Sequence, residues 1–119
     1  MPPVRIRRIY QEADAGDGQR ILVDRVWPRG VTRADAAIDH WLPEVGPSDE
    51  LRRWFGHEAV RWDEFQTRYR AELVDSPHLA ELIRLVALGP TTLLYGARDT
   101  EHNQAVVLAN VLAEHDLPH

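Results

Sequence analysis

At 119 residues, with 44% hydrophobic and 28% charged side chains, the chain is sized for a single globular domain, residues 1–119, that buries roughly two-thirds of the surface its unfolded form exposes. A net charge of −5 argues against free nucleic acid as a partner, since that binding is driven by neutralising phosphates. Cys is absent, which excludes disulfides, thiolate nucleophiles and zinc–thiolate sites, and all 14 basic residues are Arg, so Schiff-base and P-loop lysines are excluded too.

No apolar run approaches the ~20 residues of a membrane helix, so no membrane association is expected. The opening "MPPVRIRRIY" has Arg residues without an apolar stretch behind them and is not expected to be a secretory signal; the cytoplasm is the expected location.

"VRIRRIY" (4–10) alternates, with Val4 and Ile6 on one face and Arg5 and Arg7 on the other, which predicts a half-buried edge strand. "EADAGDG" (12–18) is turn chemistry. "RILVDRVW" (20–27) reads as a second strand, and its apolar Ile21–Val23 places it centrally. Pro28 and Gly30 then turn the chain. Thr32 with Asp35 opens a short helical turn through Ala36, and a short strand is expected around Ile38–Leu42.

Ser48 is a helix N-cap with acids behind it, and Gly56 ends that helix. Residues 58–74 carry Trp62, Phe65, Tyr69 and Leu73 at helical spacing. Ser76-Pro77 starts a third long helix, and Gly89-Pro90 stops it. "TTLLYGA" (91–97) reads as a strand and residues 100–115 as a final helix capped by Asp99 or Thr100; "LPH" at the end reads as a frayed tail. The alternation of strands and helices predicts an α/β fold: a small, mostly parallel sheet flanked by helices in three layers, Rossmann-like or flavodoxin-like.

In such sheets ligands bind beyond the carboxyl ends of the strands. Two strand ends here are loaded with polar groups: "DRVWPRG" (24–30) and "YGARDTEHNQ" (95–104). The turn "FGHE" adds His57. If these converge, Asp24, Arg25, Trp27, Arg29, Tyr95, Arg98 and Asn103 form a binding site, and His57, His102 and Asp99 supply acid–base groups. Guanidinium groups and a helix N-terminus suit a phosphate or carboxylate, with Trp27 and Tyr95 as walls. The plain alternatives are an Asp24–Arg25 salt bridge that pins the turn, Asp99 as a helix cap, and His57 as a cation at a helix C-terminus. No metal-ligand spacing, Walker A, G-x-S-x-G or G-x-G-x-x-G motif occurs, and the sequence assigns no cofactor.

The segments "LVDRVWPRG", "LRRWFGH…RWDEFQTRYRAEL" and "TLLYGARDTEHNQAVVL" resemble the YeaO-like branch of the domain of unknown function 488 family, from about Arg5 to Glu114. The resemblance implies a small α/β domain and does not imply a particular reaction. It matches Asp24, Arg25, Trp27, Pro28, Arg29, Gly30, Trp54, Phe55, His57, Tyr95, Asp99, His102 and Asn103. Arg98 stands where many relatives have Lys. Where the wider family often has Cys-His-Arg, this chain has Asn103-Gln104-Ala105, so a thiol mechanism cannot operate here. Three readings follow: a site for a small anionic molecule, a binding or regulatory module without chemistry, and a metal-assisted hydrolase using Asp and His. Oligomeric state is left open.

Overall fold

The computed structural model describes residues 2–115, so the expected tail Leu117–His119 lies outside the described residues. Strands β1 (Val4–Arg8), β2 (Gln19–Leu22), β3 (His40–Trp41) and β4 (Thr91–Tyr95) form one sheet in the order β1-β4-β2-β3. Every pairing is parallel, in keeping with the α/β class implied by the sequence. The last strand is inserted between the first two, so β2 and β4 are central. Five α-helices flank it among the described residues: α1 (Arg33–Ala36), α2 (Asp49–Phe55), α3 (Trp62–Leu73), α4 (Pro77–Val86) and α5 (Gln104–His115). No helix among the described residues is long and apolar enough to cross a membrane.

The two faces of the sheet are covered unequally. Ile21, Val23, Leu93 and Tyr95 face the main core, built with α2, α3, α4 and α5. Leu22 and Leu94, one residue out of step, pack with Ile9 and Ala36 under α1 and the loop around it. The main core is stiffened by aromatics at helical spacing. Phe55 of α2 stacks on Phe65 of α3 at 4.3 Å, and Trp62 stacks on Phe65 at 5.7 Å. The buried Tyr69 hydroxyl donates to the Val45 carbonyl at 2.5 Å. Burying a Phe such as Phe65 contributes about 1.5–3 kcal/mol.

The helix ends follow local chemistry. The Ser48 hydroxyl accepts from Leu51 N, and Ser76 accepts from His78 N and Leu79 N. Gly56 ends α2 at φ 51°, a left-handed conformation that glycine adopts without strain.

Several boundaries differ from expectation. The strand expected over Arg20–Trp27 ends at Leu22. Val23 N still reaches the Leu94 carbonyl at 3.0 Å, but the next donor on β4, Gly96 N, is taken by the Asp24 carboxylate, and the ladder stops. The strand expected around Ile38–Leu42 contracts to His40–Trp41. Ala59–Arg61 form a 3-10 turn, so α3 begins at Trp62. The last helix begins at Gln104 and not near Thr100. Asn103 Oδ1 caps it by accepting from Ala105 N at 3.0 Å and Val106 N at 3.2 Å. Asp99 spends its carboxylate on Glu101 N and His102 N in the preceding turn.

At the amino end of β2 lies a buried ion cluster. Asp17, 1% exposed, is held by Arg5, Arg7 and Arg20. Arg5, Thr92 and Arg20 fall in one row across β1, β4 and β2, so the sheet register aims two of these guanidinium groups at one carboxylate. Burial alone would raise the Asp17 pKa. Hydrogen bonds from the Asp14 backbone and the three guanidinium groups outweigh it and hold the carboxyl far below the ordinary range.

Candidate functional site

Because all strands run one way, β2 and β4 end on the same edge of the sheet, and a cavity of about 320 Å³ opens beyond them. Seven of the residues singled out from the sequence line it: Asp24, Arg25, Trp27, Arg29, His57, His102 and Asn103. The two polar turns, some seventy positions apart, therefore meet. Three others do not line it. Tyr95 is buried in the main core, and burial raises its hydroxyl pKa. Arg98 is exposed on the turn after β4. Asp99 acts behind His102, its carboxylate 2.8 Å from the His102 Nδ1.

Asp24 is the centre of the arrangement. Its carboxylate accepts from Gly96 N at 2.9 Å and from the Gln104 side-chain amide. A Cβ on Gly96 would lie 2.8 Å from Asp24 Oδ2 and 3.2 Å from Pro28, so only glycine permits this approach. The expected Asp24–Arg25 salt bridge does not form. Arg25 turns away and donates to the carbonyls of Pro47 (2.8 Å) and Gly46 (3.1 Å). Burial pushes the Asp24 carboxyl up to about 6, against the opposing pull of the Gly96 amide, Gln104 and the Arg52 charge.

The walls are set by packing. Trp27 donates its indole N–H to the Val31 carbonyl at 2.8 Å, meets Trp41 edge-on at 5.4 Å, and carries Arg33 over its face at 4.5 Å. The Tyr10 hydroxyl donates to the Arg29 carbonyl at 2.8 Å and so ties the rim of the cavity to the end of β1. His57 is held at φ 59°, a left-handed conformation that costs a residue with a side chain roughly 1–2 kcal/mol. His102 presses edge-on against Trp62 at 5.2 Å, which with Asp99 fixes its ring.

The N-terminus of α5 carries its own side-chain cap. Asn103 Oδ1 takes two of the α5 backbone N–H groups that would otherwise face an anion. The cations of the cavity are side chains: Arg25, Arg29 and Arg52, with the two imidazoles. Arg52, Gln104, Phe65 and Tyr10 were not anticipated. Gln104 had one signal, its place beside Asn103 at a helix start; Arg52 had its place one turn before Gly56-His57. Among the described residues no group of three or more His, Asp or Glu side chains is placed to hold a metal ion.

The profile described as "Inactive DUF488-N3 subclade" matches residues 3–117. The chain belongs to the DUF488 family. Among DUF488 relatives, the uncharacterised protein YeaO of Escherichia coli (strain K12) is 45% identical over 112 residues, 92% of this chain and 96% of that protein. Uncharacterised proteins of Mycobacterium tuberculosis (strain ATCC 25618 / H37Rv) and of Mycobacterium bovis (strain ATCC BAA-935 / AF2122/97) are each 44% identical over 109 residues, 92% of both chains. No solved structure matches this DUF488 chain.

Proposed function

We propose that the cavity beyond β2 and β4 binds a small molecule through its anionic group, a phosphate or a carboxylate, and that the chain holds this ligand without converting it. One observation carries the reading: Arg25, Arg29 and Arg52 line the same cavity with His57 and His102, and Asp24 is the single carboxyl among the described lining residues. Guanidinium forks bind phosphate and carboxylate with matched, charge-assisted hydrogen bonds. Phe55 and Phe65 give the remainder of a ligand an apolar surface. The subclade description supports holding over turnover.

Thermal shift and calorimetry against inorganic phosphate, nucleotides, sugar phosphates and aromatic carboxylates test this. A true ligand raises the melting temperature with its concentration. Arg29→Ala and Arg52→Ala should each weaken binding about tenfold or more, as loss of a charge-assisted contact does. Binding untouched by both substitutions contradicts the proposal.

A further inference from the structure

Asp24 is odd company for an anion. A carboxylate has about four acceptor positions on its two oxygens. Gly96 N and Gln104 use one each. Among the described residues no guanidinium or imidazole is in ion-pair contact with it; the nearby cations Arg25 and Arg52 are turned to the Gly46 and Pro47 carbonyls and to Asp49. The Asn103 amide is spent on the Asp99 carbonyl. Its Oδ2 is held against the Gly96 backbone by the Gly96 N–H at 2.9 Å. It therefore presents unused acceptor capacity to the cavity that it lines.

We infer that the ligand is amphoteric: besides its anionic group it carries an N–H donor, a protonated amine or a heterocyclic N–H pair, that Asp24 accepts. This rests on the anion reading above and supplies the other half of the ligand. The body between the two ends is planar and apolar, matching Phe55, Phe65, Trp27 and Pro28. A purely anionic ligand would set like charge against Asp24; an amphoteric one meets a cation at one end and a carboxylate at the other.

Paired probes test it by calorimetry at pH 7.5. Guanosine monophosphate is compared with inosine monophosphate, which lacks one donor of the N–H pair. 4-(Aminomethyl)benzoate is compared with 4-methylbenzoate, which lacks the ammonium. The expected result is that one donor-bearing probe binds, that its partner binds at least tenfold more weakly, and that Asp24→Asn collapses the difference. Which pair responds identifies the source of the donor.

Proton linkage at pH 6, in wild type compared with Asp24→Asn, gives a second readout. A donor paired with Asp24 favours its charged form, so binding releases protons; a bare anion nearby favours the protonated form and takes protons up. Only the proton change that Asp24→Asn abolishes is assigned to Asp24. Equal binding within both pairs that Arg52→Ala still weakens overturns the amphoteric ligand and leaves the anion reading standing. Failure of every probe overturns both.

Discussion

The two ends of β2 each carry an aspartate, Asp17 buried and Asp24 half-buried, and they have opposite fates. Asp17, before the strand, collects three guanidinium groups and an amide N–H and is held far below its ordinary pKa. Asp24, after the strand, has two neutral donors and no cation in contact among the described residues, and it is pushed up to about 6. Burial acts on both; what differs is whether the fold supplies compensating charge. The amino end is closed upon itself, with partners for its carboxylate and for Arg20, which also donates to the Ala36 and Ala37 carbonyls. The carboxyl end carries unmet acceptor capacity and a left-handed histidine, and it opens on a cavity. The difference supports the proposal that a ligand completes the set at the open end.

Breaking the closed end should have the largest effect. Asp17→Asn leaves the buried Arg20 and the half-buried Arg7 without a counter-charge, and should destabilise the protein by about 3 kcal/mol in urea unfolding. The same substitution at the open end should do the reverse. Asp24→Asn keeps an acceptor for Gly96 N, and Gln104 can turn its amide to match. The variant should be more stable than wild type at pH 7.5 by on the order of 2 kcal/mol, and near parity at pH 4.

The pH profile of the wild type sharpens the contrast. Asp17 has a depressed folded pKa, so its contribution is present above the unfolded value near 3.8 and is lost as pH falls through the lower folded one. Asp24 has a raised folded pKa, so its folded form binds a proton more readily than the unfolded chain. Stability should decline as pH rises from 3.8 to about 6 and level off above. That decline should vanish in Asp24→Asn and persist in Asp17→Asn. The smallest effect should come from His57→Gly, which relieves the left-handed backbone and adds about 1 kcal/mol of stability while removing an imidazole from the cavity. Stability gained together with ligand affinity lost is the expected outcome.

Where structure is written in neighbouring residues, it was legible. Ser48 and Ser76 cap the helices that they announce, and Gly56 ends α2, because a cap needs only a hydroxyl or a free φ at the right position. The apolar Ile21 and Leu22 marked β2 as central for the same local reason. The insertion of β4 between β1 and β2 was not legible, since pairing partners lie far apart in the chain. The start of α5 was misplaced because Asp99 and Asn103 are both good caps; Asp99 is drawn off by its own turn and by His102. Asp17 looked like loop chemistry until the sheet register aimed Arg5 and Arg20 at it. Gln104 was invisible because its partner Asp24 lies 80 positions upstream. The gathering of Asp24, Arg25 and Arg29 with His57 and His102 followed from one rule, that parallel strands end on a common edge.

The most direct measurement is the titration of the Asp24 side-chain carboxyl carbon by NMR, assigned by its loss in Asp24→Asn. A midpoint near 6 is the predicted result, set by a desolvated acid with no ion-pair contact among the described residues. A midpoint near the ordinary 3.8 would show a carboxylate already satisfied, and would contradict an open end of β2 waiting for a ligand.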